Sequence, residues 1–93
     1  MAWRIIVSGK VRQEIVQLGR HEAANGRLAA FSTALDYLLQ QLGQDPLALG
    51  NPHNRLKHLG LTLCHAMRRP LVIHFAVDEK RQWVYVRKLI LYP

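Results

Sequence analysis

The chain has 93 residues and a mass of 10.7 kDa, enough for one modest hydrophobic core and so for a single domain over 1–93. Thirteen Lys and Arg against six Asp and Glu give a formal charge of +7, and an apolar content of 49% excludes a disordered basic tail. The one cysteine, Cys64, excludes an intrachain disulfide and a cysteine-based zinc site, and suits a reducing cytoplasm.

Residues 3–7 are β-branched and aromatic and predict a first strand, too short an apolar run for a signal peptide. Ser8 is placed to cap the next helix, where Val11, Ile15 and Leu18 step by four and three along one stripe. Asn25-Gly26 supplies the left-handed residue that ends it. A stronger stripe follows in Leu28, Phe31, Leu35, Leu38, Leu39 and Leu42, stopped by Gly43, and the two helices should form an antiparallel hairpin. Ser32, Thr33, Asp36, Gln40 and Gln41 interrupt residues 28–42, which therefore cannot cross a bilayer.

Asp45-Pro46 opens an irregular stretch through Gly50-Asn51-Pro52. The period then becomes two. Leu59, Leu61 and Leu63 alternate with Gly60, Thr62 and Cys64, and Leu71, Ile73, Phe75 and Val77 alternate with Val72, His74, Ala76 and Asp78. Residues 78–81 read as a hairpin turn and 83–91 as a final strand, with a bulge expected where Arg87-Lys88 breaks the alternation. The order is β-α-α-β-β-β. It predicts an α+β domain with a helical hairpin on one face of a small, mainly antiparallel sheet and no C-terminal helix. On this reading the odd-numbered leucines are buried and the opposite face is free for chemistry. Charge is uneven between the halves, +1 over 1–46 and +6 over 47–93, so a polyanionic partner should meet the strand-rich half.

That order, with particular residues at its joints, resembles the RelE/ParE superfamily of bacterial type II toxin–antitoxin toxins. Trp3-Arg4-Ile5, the run Ala34-Leu35-Asp36-Tyr37-Leu38, Asp45-Pro46 with Gly50-Asn51-Pro52, and Arg55-Leu56-Lys57 carry the resemblance. So does the stretch from Leu71 to Glu79, followed by a strand ending in Tyr92. The resemblance implies a compact cytoplasmic toxin neutralised by an antitoxin that wraps around it, as a homodimer or a toxin–antitoxin hetero-oligomer. RelE-like members cut mRNA on the ribosome without metal, whereas ParE-like members poison DNA gyrase. A catalytically weak homologue that only binds antitoxin is the third reading.

Metal-free RNA cleavage drives a 2′-hydroxyl onto the adjacent phosphate. It needs a base, an acid and cations for the developing charge. His58 and His74 lie on the parity opposite the leucines, and His74 should approach a 58–60 position across the sheet. They are the proton-transfer candidates together with Tyr92, where the resemblance implies a terminal catalytic tyrosine. Arg69 and Arg87 join them in the catalytic set, with Arg55, Lys57, Arg68 and Lys88 as further RNA and phosphate contacts. Leu91 stands where some members have a histidine, and Leu71 stands where members carry a phosphate-binding arginine. The sequence presents no cofactor motif or metal-ligand spacing. Trp3, Tyr37, Trp83 and Tyr85 suit packing more than base stacking, and Glu14, Glu22 and Asp36 read as solvated helix charges. The outward histidines and the +6 half favour RNA over gyrase, and no membrane is implicated.

Overall fold

In a computed structural model of the chain, which describes residues 3–92 (with the side chains of 53–55 and 57 outside that description), helices cover one face of a five-stranded sheet. The elements are β1 (Arg4–Val7), α1 (Gly9–Ala24), α2 (Leu28–Gln44), α3 (Pro46–Leu49), β2 (Asn51–Leu56), β3 (Leu61–Arg68), β4 (Leu71–Asp78) and β5 (Trp83–Leu91). A single 3-10 turn, Lys57–Leu59, joins β2 to β3. Strand order is β1-β5-β4-β3-β2, antiparallel throughout except for β1, which runs parallel to β5.

Local chemistry sets the joints. Ser8 Oγ accepts the Val11 amide at 3.2 Å, satisfying one of the open donors at the start of α1. Gly26 takes a φ of +72° to turn the chain into α2. Asp45 ends α2, and its Oδ1 accepts the Ala48 amide at 3.2 Å to start α3. Phe31, Ala34, Leu38 and Leu42 form the buried stripe of α2, facing Leu71, Ile73, Phe75 and Val77 of β4 and Val84, Val86 and Leu89 of β5. Val11, Ile15 and Leu18 of α1 complete this core. Full burial of each such large side chain stabilises the fold by roughly 1.5–3 kcal/mol. No helix of the described residues is long and apolar enough to cross a membrane.

The sheet departs from the expected one in two respects. The stretch read as irregular contains α3 and the first two residues of an additional edge strand, β2, and Leu59 belongs to the 3-10 turn rather than to a strand. The face assignment of β3 is also reversed. Thr62, Cys64 and Ala66 are buried under the helices, while Leu61 and Leu63 turn to the open side. The cause is steric. Gly50 crosses so close beneath this strand that a Cβ there would lie 2.5 Å from Phe75 Cζ and 2.9 Å from Cys64 Cβ, and only small side chains fit.

Candidate nucleic-acid interface on the open sheet face

Paired residues in a ladder share a face, so the open side can be read row by row. The central row is Asn51, His65, His74 and Lys88, one from each of β2, β3, β4 and β5 in consecutive register. Its orientation is fixed by Ile73 and Phe75, fully buried on either side of His74 and directed at the helices. The imidazoles of His65 and His74 have centroids 6.0 Å apart with their planes tilted by 36°.

The bulge anticipated at Arg87-Lys88 is present. Phe75 pairs with Val86 and His74 with Lys88, which leaves Arg87 as the extra residue. A bulge lets two successive side chains escape strict alternation. Lys88 joins the histidine row while Arg87 lines an adjacent groove with Tyr85. Both cations are exposed, and neither forms an ion pair among the described residues.

The polar row runs between apolar ones. On one side Leu63, Ala76 and Tyr85 pair across the sheet; with Leu56, Leu59 and Leu61 they form a shallow groove of about 480 Å³ rimmed by Arg87 and by Arg81, which is ion-paired to Asp78 at 3.4 Å. On the other side lie Met67, Val72 and Ile90, with Met67 53% and Ile90 41% exposed.

The other expected site residues are not gathered here. His58 sits in the 3-10 turn beside Gly60, Asp78 and the β4–β5 turn, and Leu61, not His58, begins the pairing with β4. The 3-10 turn and Gly60, whose φ is +68°, carry the chain past that end before β3 starts. Since His74 lies four residues from Asp78, this end is about 13 Å from the histidine row. Arg69 and Tyr92 occupy the opposite end, the guanidinium 5.5 Å from the Tyr92 ring centroid and the Tyr92 amide donating to the Pro70 carbonyl at 2.6 Å. Four residues beyond Lys88, Tyr92 is also about 13 Å away along the strand. Arg68 turns to the helix layer, where it stacks 4.3 Å from the Tyr37 ring centroid. Arg55 and Lys57 lie outside the described side chains.

Sequence reasoning left His65 out of the proton-transfer set because it placed the leucines of β3 on the buried face. The usable signal was Cys64: a small apolar residue between Leu63 and His65 fits a crowded helix contact better than a leucine does. Among the described residues no three His, Cys, Asp or Glu side chains come together as a metal-binding group.

The sequence matches no family model and no curated protein. The structure is similar to a chain of the toxin–antitoxin complex RelBE2 from Mycobacterium tuberculosis, with a TM-score of 0.69 at 15% identity, covering 98% of this chain and 99% of that one. The likeness places the architecture in the RelE-like fold that the sequence motifs anticipate.

Proposed function

We propose that the protein is the toxin of a toxin–antitoxin pair and that it cleaves mRNA on the ribosome by metal-free acid–base chemistry at the histidine row. The observation that carries this reading is the juxtaposition of His65 and His74 beside two cations without acidic partners, Lys88 and Arg87. Likeness of fold to a chain of a toxin–antitoxin complex supports the toxin assignment.

In the reaction, one neutral imidazole removes the proton of a ribose 2′-hydroxyl as its oxygen attacks the adjacent phosphorus. The other imidazole, protonated, gives its proton to the departing 5′-oxygen. The P–O5′ bond breaks, leaving a 2′,3′-cyclic phosphate and a 5′-hydroxyl. With their centroids 6.0 Å apart on the open face, the two rings can each reach a different oxygen of one phosphodiester lying over them. Lys88 and Arg87 meet the non-bridging oxygens, where charge grows in the transition state.

The partner is an antitoxin. The leucine groove beside the row, with Arg87 and the Arg81–Asp78 ion pair on its rim, suits an amphipathic segment that sets an acidic side chain against Arg87. A segment lying there covers Lys88 and the histidines, so antitoxin and RNA compete for one face. The site lies in a cytoplasmic protein on this reading, with no membrane role.

Inducing the protein while mapping mRNA ends and following DNA supercoiling tests the proposal. Codon-phased cuts with 5′-hydroxyl ends are expected. Intact mRNA with altered supercoiling would assign gyrase instead, and normal growth with tight antitoxin binding would assign a binding-only module.

A further inference from the structure

Trp83 and Tyr85, which the sequence suggests as packing residues, stand half-buried on the open face, because Val84 and Val86 of the same strand are buried under the helices. Tyr85 belongs to the row Ile6, Tyr85, Ala76, Leu63, and Trp83 to the row Arg4, Trp83, Asp78, Leu61. In the first of these the small Ala76 lies between two large side chains, so Tyr85 and Leu63 form opposite walls of the groove with Ala76 as its floor. Trp83 meets Tyr85 edge-on, with ring centroids 6.2 Å apart and planes at 75°, and this contact sets the tilt of the tyrosine wall. Beyond it, the Arg4 and Arg81 guanidinium groups stand 5.9 Å and 5.4 Å from the Trp83 ring centroid, held over the indole by its negative face. Arg81 is shared with Asp78, whereas Arg4, like Arg87, is exposed and forms no ion pair among the described residues.

These rows have a regular spacing. Side chains on one face recur every two residues, or about 7 Å along a strand. Counted along β4 from His74, the Tyr85 wall comes at about 7 Å and the Arg4–Trp83 row at about 13 Å. Phosphate-binding cations at the histidine row, an aromatic wall and then a further cation follow one another in a line. Single-stranded nucleic acid is held by that combination, with charges tracking the phosphates and aromatic faces taking the bases. A purely apolar side chain would fill the slot but leave Arg4 and Arg87 unmatched. The one carboxylate that lines the groove, Asp78, is buried and already engaged by Arg81, so it does not repel an anion there.

We infer that Tyr85 forms a base-stacking subsite of the RNA face. With the scissile phosphate over His65 and His74, the base of an adjoining nucleotide lies in the slot between Tyr85 and Leu63, and the phosphate beyond it reaches Arg4. The RNA therefore runs lengthwise along β4 and β5 toward the β4–β5 turn. Stacking tolerates every base, so the subsite contributes affinity and placement rather than sequence choice. An antitoxin segment in the groove would fill the same slot and exclude the base. This inference rests on the reading of the open face as an RNA site, but it concerns binding and is measured without cleavage or ribosome.

The test is titration of the intact protein with a labelled 2′-O-methyl tetranucleotide, which lacks the attacking hydroxyl, followed by fluorescence anisotropy. An abasic residue is placed at each position in turn. One position should be sensitive, losing about tenfold or more in affinity, the usual worth of one stacked base. Tyr85→Ala should cost a similar factor, and in that variant the same abasic residue should cost nothing further, because both changes remove one contact. Tyr85→Phe should bind like the parent. Arg4→Ala should flatten the salt dependence of tetranucleotide binding by about 0.7 in log K against log salt and leave a dinucleotide unaffected. Arg4 is exposed, so this arm remains decisive if Tyr85→Ala fails to fold. Additive losses from Tyr85→Ala and the abasic residue, no sensitive position, or an unchanged slope in Arg4→Ala would each overturn the assignment. Coupled losses in a protein that leaves messages intact would uphold the subsite and remove the cleavage reading. Codon-phased cutting with additive losses would do the reverse.

Discussion

His65 and His74 stand directly opposite one another in adjacent antiparallel strands, and their ring centroids are 6.0 Å apart on the open face of the sheet. The spacing follows from ladder register alone, so neither ring needs a loop to position it. If these imidazoles divide the acid and base roles, His65→Ala and His74→Ala should each lower the RNA-cleavage rate by about 10²–10⁴-fold. His58→Ala and Tyr92→Phe, at opposite ends of the sheet, should leave the cleavage rate within a few-fold of the parent. Single-turnover cleavage of a ribosome-bound message measures this, and full activity in His65→Ala would remove the pair from the mechanism.

Arg87 and Lys88 reach the same face only because the bulge adds a residue to β5. Contacts from cations to single-stranded RNA release counterions, and each contact contributes a slope of about 0.7 in log K against log salt. Arg87→Ala and Lys88→Ala should therefore each flatten that dependence by about this amount. Binding of a non-cleavable RNA over a salt series checks it. An unchanged slope in both variants would place the phosphates elsewhere.

These two clusters show where the sequence was legible. The helix stripes, the Ser8 cap, the Asn25-Gly26 stop and the bulge are local signals and hold in the structure, except that Leu28 is 46% exposed and α2 runs one residue past Gly43. The face of β3 is not local. Leucines at 59, 61 and 63 look like core by period, yet the close passage of Gly50 admits only Thr62, Cys64 and Ala66 beneath the helices. Since one residue of phase moves every side chain to the other face, that single reversal hid His65 and paired His74 with the wrong position. Strand β2 was hidden for a related reason: Asn-Pro-His-Asn carries turn chemistry, and an edge strand with a register shift between Pro52 and Asn54 tolerates it. The burial of Glu22 was equally inaccessible, because its partner Arg27 comes close only after Gly26 turns the chain.

The same close passage makes Gly50 sensitive to substitution. A methyl group there meets Phe75 Cζ at 2.5 Å and Cys64 Cβ at 2.9 Å, and both belong to fully buried side chains. Phe75 cannot yield without disturbing Leu38 and Leu42 in the same core. Gly50→Ala should therefore cost about 1–3 kcal/mol, the usual range for overpacking a filled interior. Urea unfolding monitored by tryptophan fluorescence measures it. A loss below a few tenths of a kcal/mol would mean that the α3–β2 junction shifts aside freely.

Cys64 gives the fold a pH dependence of known sign. Burial pushes its thiol above the ordinary value of 9.0, because the thiolate is disfavoured away from water. The unfolded chain releases this proton at a lower pH than the folded one, so above about pH 9 the native state binds more protons than the unfolded state. The stabilising contribution is thus complete below the unfolded value and declines as pH rises toward the folded one. Unfolding free energy measured between pH 8 and 10.5 should fall in the parent and fall less steeply in Cys64→Ala, after allowance for the smaller side chain at the lower pH limit. Native Cys64 should also react slowly with a thiol reagent at neutral pH and rapidly once urea unfolds the chain, because the thiolate is the nucleophile and the core shields it. Identical alkaline slopes in the two proteins, or rapid labelling of the native parent, would show that the strand beneath Gly50 opens far more readily than its packing implies.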